Sequence, residues 1–289
     1  MSESKKTVAL VGSAHNESLR AMQAFQTEHD AEFLLIGNAK ETREKAQALG
    51  IEIEGLRIID ASDDIESCRL AAHAAMDGSV QVLMKGSVHT ADFLRAILDK
   101  EYGLLPEGSL LSHVARLVLP WYHKQLLLTD AAVSIVPDLD KKVQIIANAI
   151  AVAHNIGIPQ PKVALVCPVE TVNPRIVSTT DASQIVFLQK NTAVFEDAVI
   201  EGPFGLDVAL SVQAARVKGI AGEVPGDADI LVFGNIDAAN ATFKAFLSAP
   251  DVISAGIVVG AKLPVVLTSR SESMHTRVES INMALTVSG

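Results

Sequence analysis

Short apolar runs alternate with longer amphipathic stretches along the first part of the chain. Runs at Thr7–Val11, Glu32–Ile36 and Val80–Met84 have the length and β-branched content of strands. The stretches Glu17–His29 and Lys40–Leu49 have the spacing of helices, and Gly50 ends the second of them. Alternation of this kind predicts a parallel sheet covered by helices.

A third strand and its helix continue this alternation. Leu56–Ile59 reads as the strand, and Asp63 and Asp64 then stand where a helix N-terminus favours acidic residues, just ahead of Ile65–Met76. A further helix is predicted from about Thr90 to Lys100, after the strand at residues 80–84.

The pattern changes near Pro106–Ser109. Two apolar runs, Val114–Leu119 and Gln125–Leu128, lie only a few residues apart, a spacing that predicts an antiparallel hairpin and excludes a βαβ crossover. A long helix, about Asp140–His154, follows the hairpin.

Alternation then resumes and continues to the C-terminus. Strands are predicted near Val163–Val166, Ala198–Glu201, Ile230–Phe233, Ile257–Val259 and Pro264–Leu267, before a closing helix at about Ser271–Leu285. We therefore predict an α/β protein with two α/β domains. The first is discontinuous, residues 1–110 plus 265–289, and the second spans residues 111–264.

Composition and charge narrow the class of protein. Apolar residues make up 49% of the 289, which is enough for a sizeable core, and no apolar run approaches the roughly 18 residues of a membrane helix. The formal net charge of −10 is a poor match for a nucleic-acid backbone. The opening residues lack a signal-peptide core, so we expect a cytoplasmic protein in which Cys68 and Cys167 are reduced thiols.

The strand-to-helix turn at residues 85–92 carries the first candidate chemistry. Gly86, Ser87 and Thr90 leave amides and hydroxyls open to an anion, and Arg95 follows one turn into the helix. An anion site and a capped surface helix are both compatible with this pattern. The turn at residues 12–16 is not a GxGxxG motif and is interpreted as a plain connection.

Two later turns add further candidates. Asn240 and Lys244, at i and i+4 of a predicted helix, share a face and can converge on one ligand. Ser269 and Arg270 open the last helix, where either a phosphate cradle or an N-cap with Glu272 as an early-turn anion is possible. HExxH, GxSxG and Walker A motifs are absent, so we expect no metal site and no serine-hydrolase or P-loop chemistry.

Several ordered segments together resemble a known family. They are LMKGSVHTADFLRAIL, LLSHVARLVLP, LLLTDAAVSIVPDLDKKVQIIANA, PKVALVCPVETVNP, EGPFGLDVALS, GDADILVFGNIDAAN and GAKLPVVLTSRSES. On these segments the chain resembles the phosphate acetyl/butyryltransferases, and is most similar to the phosphate butyryltransferase branch.

The resemblance implies transfer of a short-chain acyl group, butyryl or branched, between coenzyme A and inorganic phosphate. It implies no bound cofactor or metal, since the coenzyme A thioester is a substrate, and it implies a homodimer or higher homo-oligomer. The implied fold is two α/β domains with an active-site cleft between them, as in isocitrate and isopropylmalate dehydrogenases. Arg95, Ser269 and Arg270 match family positions assigned to binding and catalysis, and Asn240 and Lys244 lie in or beside a further family motif.

One position departs from the family pattern. Acetyltransferase members carry an aspartate seven residues after the matched serine, as the proposed base for the coenzyme A thiol, whereas this chain has Thr276. Two alternatives remain for the chain as a whole: a phosphate acetyltransferase, or a non-catalytic metabolite-binding module on the same fold. A dehydrogenase would need an aspartate metal site and a dinucleotide loop, and the sequence has neither.

Overall fold

The computed structural model describes residues 5–268 and 272–289. The chain divides into two compact units, unit 1 (Met1–Ser109 and Ala255–Gly289) and unit 2 (Leu110–Ser254). The boundary between residues 109 and 110 lies one residue before the predicted domain boundary. The boundary between residues 254 and 255 lies ten residues before the second predicted boundary. The strand at 253–259 pairs with the next strand of unit 1 and so extends that unit in the N-terminal direction.

Unit 1 consists of a sheet and its helices. Four strand–helix pairs come from the N-terminal part of the chain, and two strands and one helix come from the C-terminal part. Its elements are β1 (Thr7–Val11), α1 (Asn16–Glu28), β2 (Glu32–Gly37), α2 (Ala39–Leu49), β3 (Arg57–Asp60), α3 (Asp64–Met76), β4 (Val82–Lys85), α4 (Thr90–Leu98), β10 (Ile253–Val259), β11 (Val265–Val266) and α10 (Met274–Val287). The strand order is β3-β2-β1-β4-β11-β10, in which only β10 runs antiparallel to its neighbour β11.

The core of unit 1 lies against its central strands. Residues 8–11 of β1 have no exposed surface, and Leu19, Met22 and Phe25 of α1 are each 1% exposed or less. The helix α10 packs against α1, so the C-terminal segment completes the same layer as the N-terminal one. Asp63 caps α3 by accepting a hydrogen bond from the Glu66 amide at 2.8 Å, as the acidic pattern predicts.

Unit 2 contains the predicted hairpin followed by parallel strands. Its elements are β5 (Ser112–Val118), β6 (Leu126–Thr129), α5 (Leu139–Asn155), β7 (Lys162–Val166), α6 (Val177–Asn191), β8 (Val199–Phe204), α7 (Leu206–Leu210), α8 (Val212–Val217), β9 (Ile230–Phe233) and α9 (Ile236–Leu247). The order is β5-β6-β9-β7-β8, with β5 and β6 antiparallel and the other neighbours parallel. The α/β class predicted from the sequence is confirmed, whereas the finer likeness to isocitrate dehydrogenase stays a prediction.

Two ion-pair systems stabilise unit 2. Lys142 of α5 and Asp181 of α6 form a buried pair at 2.5 Å, with side chains 7% and 13% exposed. Asp227, before β9, accepts hydrogen bonds from Lys162 at 2.6 Å and from Lys124 at 2.9 Å. Burial alone would raise the pKa of Asp227, but these lysines and a nearby histidine outweigh it and hold the pKa well below its ordinary value.

Both cysteines are buried free thiols, in agreement with the sequence-based expectation. Within residues 5–268 and 272–289, no helix is long and apolar enough to cross a membrane.

Candidate functional site

The strand order of unit 1 reverses direction between β1 and β4. From β1 the chain moves outward to β2 and β3, whereas β4 and β11 lie on the other side of β1. In open α/β sheets, ligands bind outside the carboxyl ends of the strands at such a switch point, because the loops there diverge and leave a crevice. The turns at residues 12–16 and 85–90 are the two that flank it.

The backbones of these two turns touch. The Gly12 carbonyl oxygen accepts hydrogen bonds from the Ser87 amide at 2.9 Å and from Ser87 Oγ at 3.1 Å. A Cβ at Gly86 would lie 2.2 Å from that same oxygen, so a side chain at this position does not fit. Gly86 is therefore needed for the close approach that positions the 85–90 loop.

A pocket of about 330 Å³ lies at this switch point. It is lined by His15, Lys85, Gly86, Ser87, Val88, His89, Thr90, Thr268 and Arg277. These residues come from the turns after β1, β4 and β11 and from the first turn of α10. Two basic residues, Lys85 and Arg277, are among them, and there is no Asp or Glu among these lining residues. The composition suits an anion.

His15 responds to the positive charge around this pocket. Burial lowers its pKa, and the charges of Arg277, Lys85 and Lys45 lower it further, while Glu17 opposes them weakly. The ring is therefore neutral near pH 7. Its Nδ1 lies 2.9 Å from Ser18 Oγ, an interaction that orients the imidazole at the start of α1.

The cations are held by specific contacts. Lys85 Nζ donates to the Gly86 and Val88 carbonyl oxygens at 3.1 and 3.0 Å. Arg277 is 2% exposed, and its Nη1 donates to Thr268 Oγ1 at 2.6 Å. Helical side chains lean towards the N-terminus, which is why an arginine in the first turn of α10 reaches back to the residue that follows β11.

The predicted residues of the 85–95 segment have different positions. Gly86, Ser87 and Thr90 all line the pocket. Arg95 is not among the lining residues. Its side chain is 73% exposed and pairs with Asp92, one turn earlier in α4, at 2.6 Å. Ser269 and Arg270 lie outside the described residues, between Thr268 and the start of α10.

Unit 2 has a larger cavity of about 1140 Å³ beside the carboxyl ends of β7, β8 and β9. The segments EGPFGLD and GNIDAAN both contribute to it. Its described lining includes Trp121, Val166, Cys167, Ser178, Gly205, Leu206, Asp207, Leu210, Lys218, Phe233, Gly234, Asn235, Ala238, Thr242 and Phe246. At its edge Lys218 pairs with Glu170 at 2.6 Å and with Asp207 at 2.9 Å, and these contacts lower the pKa of both carboxyls.

Asn240 and Lys244 lie on a different face of α9 from the cavity. The cavity face of this helix presents Ala238 and Thr242. Asn240 Nδ2 donates to the Ala131 carbonyl oxygen at 2.9 Å, and Lys244 is exposed. Neither is among the lining residues, and their assignment to substrate binding stays a prediction.

Comparison with known proteins identifies the family. Residues 65–286 match the phosphate acetyl/butaryl transferase family. Phosphate butyryltransferase of Clostridium acetobutylicum is 36% identical over 100% of this chain and 95% of its own length, and that of Clostridium beijerinckii is 38% identical over 98% and 93%. The chain belongs to this family.

A solved structure extends the likeness to the fold. The branched-chain phosphotransacylase from Enterococcus faecalis superimposes with a TM-score of 0.86 at 30% identity, over 98% of this chain and 99% of that one. Phosphate acetyltransferases also match; that of Thermotoga maritima is 34% identical over 96% of this chain and 94% of its own length. The family resemblance drawn from the sequence motifs is therefore confirmed.

Sequence reasoning did not assign several residues of the unit-1 pocket to ligand binding, and His15, Lys85 and Arg277 are among them. His15 belongs to a turn interpreted as a plain connection, and Lys85 and Arg277 were not singled out as ligand-binding residues. Two signals in the sequence could have indicated them. Lys85 ends a strand just before a Gly-Ser turn, and Arg277 is a basic residue in the first turn of the closing helix. Their convergence depends on β1, β4 and β11 being neighbours, which the local pattern does not specify.

Proposed function

We propose that this protein transfers a short-chain acyl group between coenzyme A and inorganic phosphate, giving acyl phosphate and free coenzyme A. The observation that carries the proposal is the cationic pocket at the switch point of unit 1, in a chain that belongs to this family. A small pocket with two cations and no carboxylate among its described lining suits an inorganic anion better than a bulky apolar ligand.

The reaction needs positioning more than base catalysis in the direction of acyl phosphate formation. An oxygen of HPO₄²⁻ attacks the thioester carbonyl carbon, a C–O bond forms, and the C–S bond breaks. The phosphate proton passes to the departing thiolate, so the products are acyl phosphate dianion and the coenzyme A thiol. Fixed cations and amide groups would hold the nucleophile beside the carbonyl and stabilise the oxyanion that develops.

We assign the catalytic contacts to Arg95, Ser269 and Arg270, and the binding of phosphate or coenzyme A to Gly86, Ser87 and Thr90. The Arg95–Asp92 pair does not oppose this assignment, because an exposed ion pair of this kind contributes only about 0–1 kcal/mol. Arg95 can therefore exchange Asp92 for a substrate anion at little cost. Asn240 and Lys244 are proposed as secondary binding residues.

No carboxylate base is required at position 276. Thr276 lies in the first turn of α10, where its amide donates to Ser273 Oγ at 3.1 Å and its hydroxyl lies 3.0 Å from the same oxygen. In the reverse direction the coenzyme A thiol must lose a proton from an ordinary pKa of about 8.5. Neighbouring guanidinium and ammonium groups favour the thiolate and lower that pKa, which replaces a dedicated base.

We propose butyryl or branched-chain acyl groups as the preferred substrates. Three relatives are 36–38% identical to this chain, which covers 93–95% of their lengths. Two of them are phosphate butyryltransferases, and the third is a probable phosphate butyryltransferase. Acetyl is the second candidate, since acetyltransferases are 34% identical. Butyryl has two methylenes more than acetyl, and at roughly 0.8 kcal/mol each their burial favours butyryl by about fifteenfold.

The test is coenzyme A release from acetyl-, butyryl-, isobutyryl- and isovaleryl-CoA, each with and without phosphate, followed with a thiol reagent. We expect phosphate-dependent release, with kcat/KM for butyryl- or a branched acyl-CoA about tenfold or more above that for acetyl-CoA. Equal or better use of acetyl-CoA would move the protein to the acetyltransferases. Release from none of the four would favour the non-catalytic module.

Three further expectations from the sequence analysis concern assembly, location and cofactors. We propose a homodimer or higher homo-oligomer, a cytoplasmic location, and catalysis without bound metal or cofactor. Size-exclusion chromatography with light scattering tests the first, and assays with and without a chelator test the last.

A further inference from the structure

The large cavity of unit 2 lies at a switch point of that unit's own strands. From β7 the chain moves outward to β8, whereas β9 lies on the other side of β7. Val166 and Phe233, the last residues of β7 and β9, are register partners, and both line the cavity. Ligands bind outside the carboxyl ends of strands at such a point. The strand order therefore indicates a binding site here as well.

The short helix α7 divides its side chains between the core and this cavity. Val208 and Ala209 have no exposed surface and belong to the core of unit 2. Leu206 and Leu210 stand at i and i+4, so they share a different face of the helix. Both are partly exposed, and both line the cavity. These two leucines are therefore accessible to an apolar ligand.

Two aromatic side chains extend the apolar lining. Trp121, in the connection between β5 and β6, is 56% exposed, and its ring centroid lies 5.8 Å from that of Phe246 in the last turns of α9. Both residues line the cavity. Large apolar side chains grouped around a concave surface are typical of a small-molecule site.

The charged groups at the edge of the cavity disfavour a phosphate. Lys218 and Asp207 are the charged residues among the described lining, and Lys218 also pairs with Glu170. Hydrogen bonds from Lys218 lower the pKa of both carboxyls, so both are ionised near neutral pH. Two carboxylates beside one ammonium repel a dianion. The cavity thus suits the uncharged end of a substrate.

We propose that this cavity binds the acyl chain of the acyl-CoA substrate, and that Leu206 and Leu210 are specificity-determining residues for chain length. The inference rests on the proposed function and names its acyl-chain site. A volume of about 1140 Å³ is above the roughly 300–1,000 Å³ of ordinary ligand pockets, so the walls set no limit at four carbons. Each further buried methylene then favours the substrate by about fourfold.

The kinetic test measures kcat/KM for acetyl-, butyryl-, isovaleryl- and hexanoyl-CoA at saturating phosphate. The wild type should use hexanoyl-CoA at least as well as butyryl-CoA, and both better than acetyl-CoA. In Leu206→Ala and Leu210→Ala the ratio of kcat/KM for hexanoyl- to acetyl-CoA should fall about three- to tenfold, because the chain loses apolar contact. A merely structural effect would lower kcat/KM for all four substrates together and leave this ratio unchanged.

A third variant fills the cavity. Ala238 is an exposed residue in the first turn of α9 and lines the cavity, so Ala238→Phe places a ring there without disturbing the core. It should lower the hexanoyl-to-acetyl ratio at least about tenfold. This variant keeps the test valid if the leucine variants do not fold. Leu247→Ala is the control, because Leu247 is 37% exposed on the same helix and is not among the lining residues. Its ratio should equal that of the wild type.

A binding experiment separates this inference from the proposed function. Acetyl-CoA and hexanoyl-CoA are titrated calorimetrically into the wild type and the four variants without phosphate. The wild type should bind hexanoyl-CoA at least about tenfold more tightly than acetyl-CoA. This difference should shrink in the two leucine variants and in Ala238→Phe, and persist in Leu247→Ala.

Equal affinity of the wild type for the two thioesters would overturn the inference, as would a wild-type hexanoyl-to-acetyl ratio in all three cavity variants. Phosphate-dependent turnover in those same proteins would leave the proposed function standing. If no thioester releases coenzyme A, but the cavity variants lose the difference in affinity, the proposed function fails and the acyl-chain site stands.

Discussion

Gly86→Ala is the substitution whose effect follows most directly from the structure. The added Cβ would lie 2.2 Å from the Gly12 carbonyl oxygen and 2.9 Å from that of Val11, where contacts under 3.0 Å are essentially never seen. The 85–90 loop or the 12–16 turn must therefore move by at least about 0.8 Å, the difference between 3.0 and 2.2 Å. Overpacking of this kind costs about 1–3 kcal/mol. Misplacement of substrate-binding groups by about 1 Å lowers catalysis about a hundredfold.

The assay measures kcat/KM for butyryl-CoA and phosphate together with unfolding by urea. Gly78→Ala is the matched control, because Gly78 has φ +79° but no atom within 4 Å of its Cβ position. Strain at that φ should cost about 1–2 kcal/mol. Both variants should therefore lose stability, and only Gly86→Ala should lose activity. Near wild-type activity in a folded Gly86→Ala variant would refute the role given to the switch-point turns.

Three further predictions concern the ion pairs of unit 2 and the family departure. Asp181→Asn should destabilise the protein by about 3–5 kcal/mol in urea unfolding, because Lys142 stays buried without its charge partner, and a Lys142→Met/Asp181→Leu double variant should recover most of the loss. Folding lowers the pKa of Asp227, so its carboxylate stabilises the folded protein fully at pH values above the pKa in the unfolded chain. This stabilisation is lost as the pH falls through the pKa of Asp227 in the folded protein. The stability difference between wild type and Asp227→Asn should thus be constant above about pH 5 and shrink below about pH 4, and a difference that grows at low pH would contradict this. Thr276→Ala should lose less than about tenfold in turnover, the worth of one neutral hydrogen bond, and complete inactivation would assign Thr276 a catalytic role.

The sequence predicted helices and strands well where capping residues or the spacing of apolar runs mark them. The acidic pair before α3 marks its N-terminus, and the close spacing of two apolar runs yields the antiparallel pair β5–β6. The closing helix was predicted to begin at about Ser271 and begins at Met274, with Ser273 as its cap. A serine-rich segment offers several equivalent caps, so the sequence alone does not select one.

The candidate site was harder to predict from the sequence than the helices and strands, because the direction of a side chain depends on its tertiary neighbours. Arg95 follows Asp92 by three residues, and that local partner is the one its guanidinium takes in the structure. Asn240 shares a helix face with Lys244, but its side-chain amide donates a hydrogen bond to the carbonyl oxygen of Ala131, which follows β6. His15 and Arg277 come from opposite ends of the chain and meet only because β1 and β11 flank β4 in the sheet.

The central claim is acyl transfer to phosphate, and one measurement tests it most directly. Butyryl-CoA and inorganic phosphate are incubated with the enzyme while ³¹P NMR follows butyryl phosphate and a thiol reagent follows coenzyme A. We predict that both products appear in equal amounts and that neither forms without phosphate. Coenzyme A release that is independent of phosphate, with no acyl phosphate signal, would contradict the account.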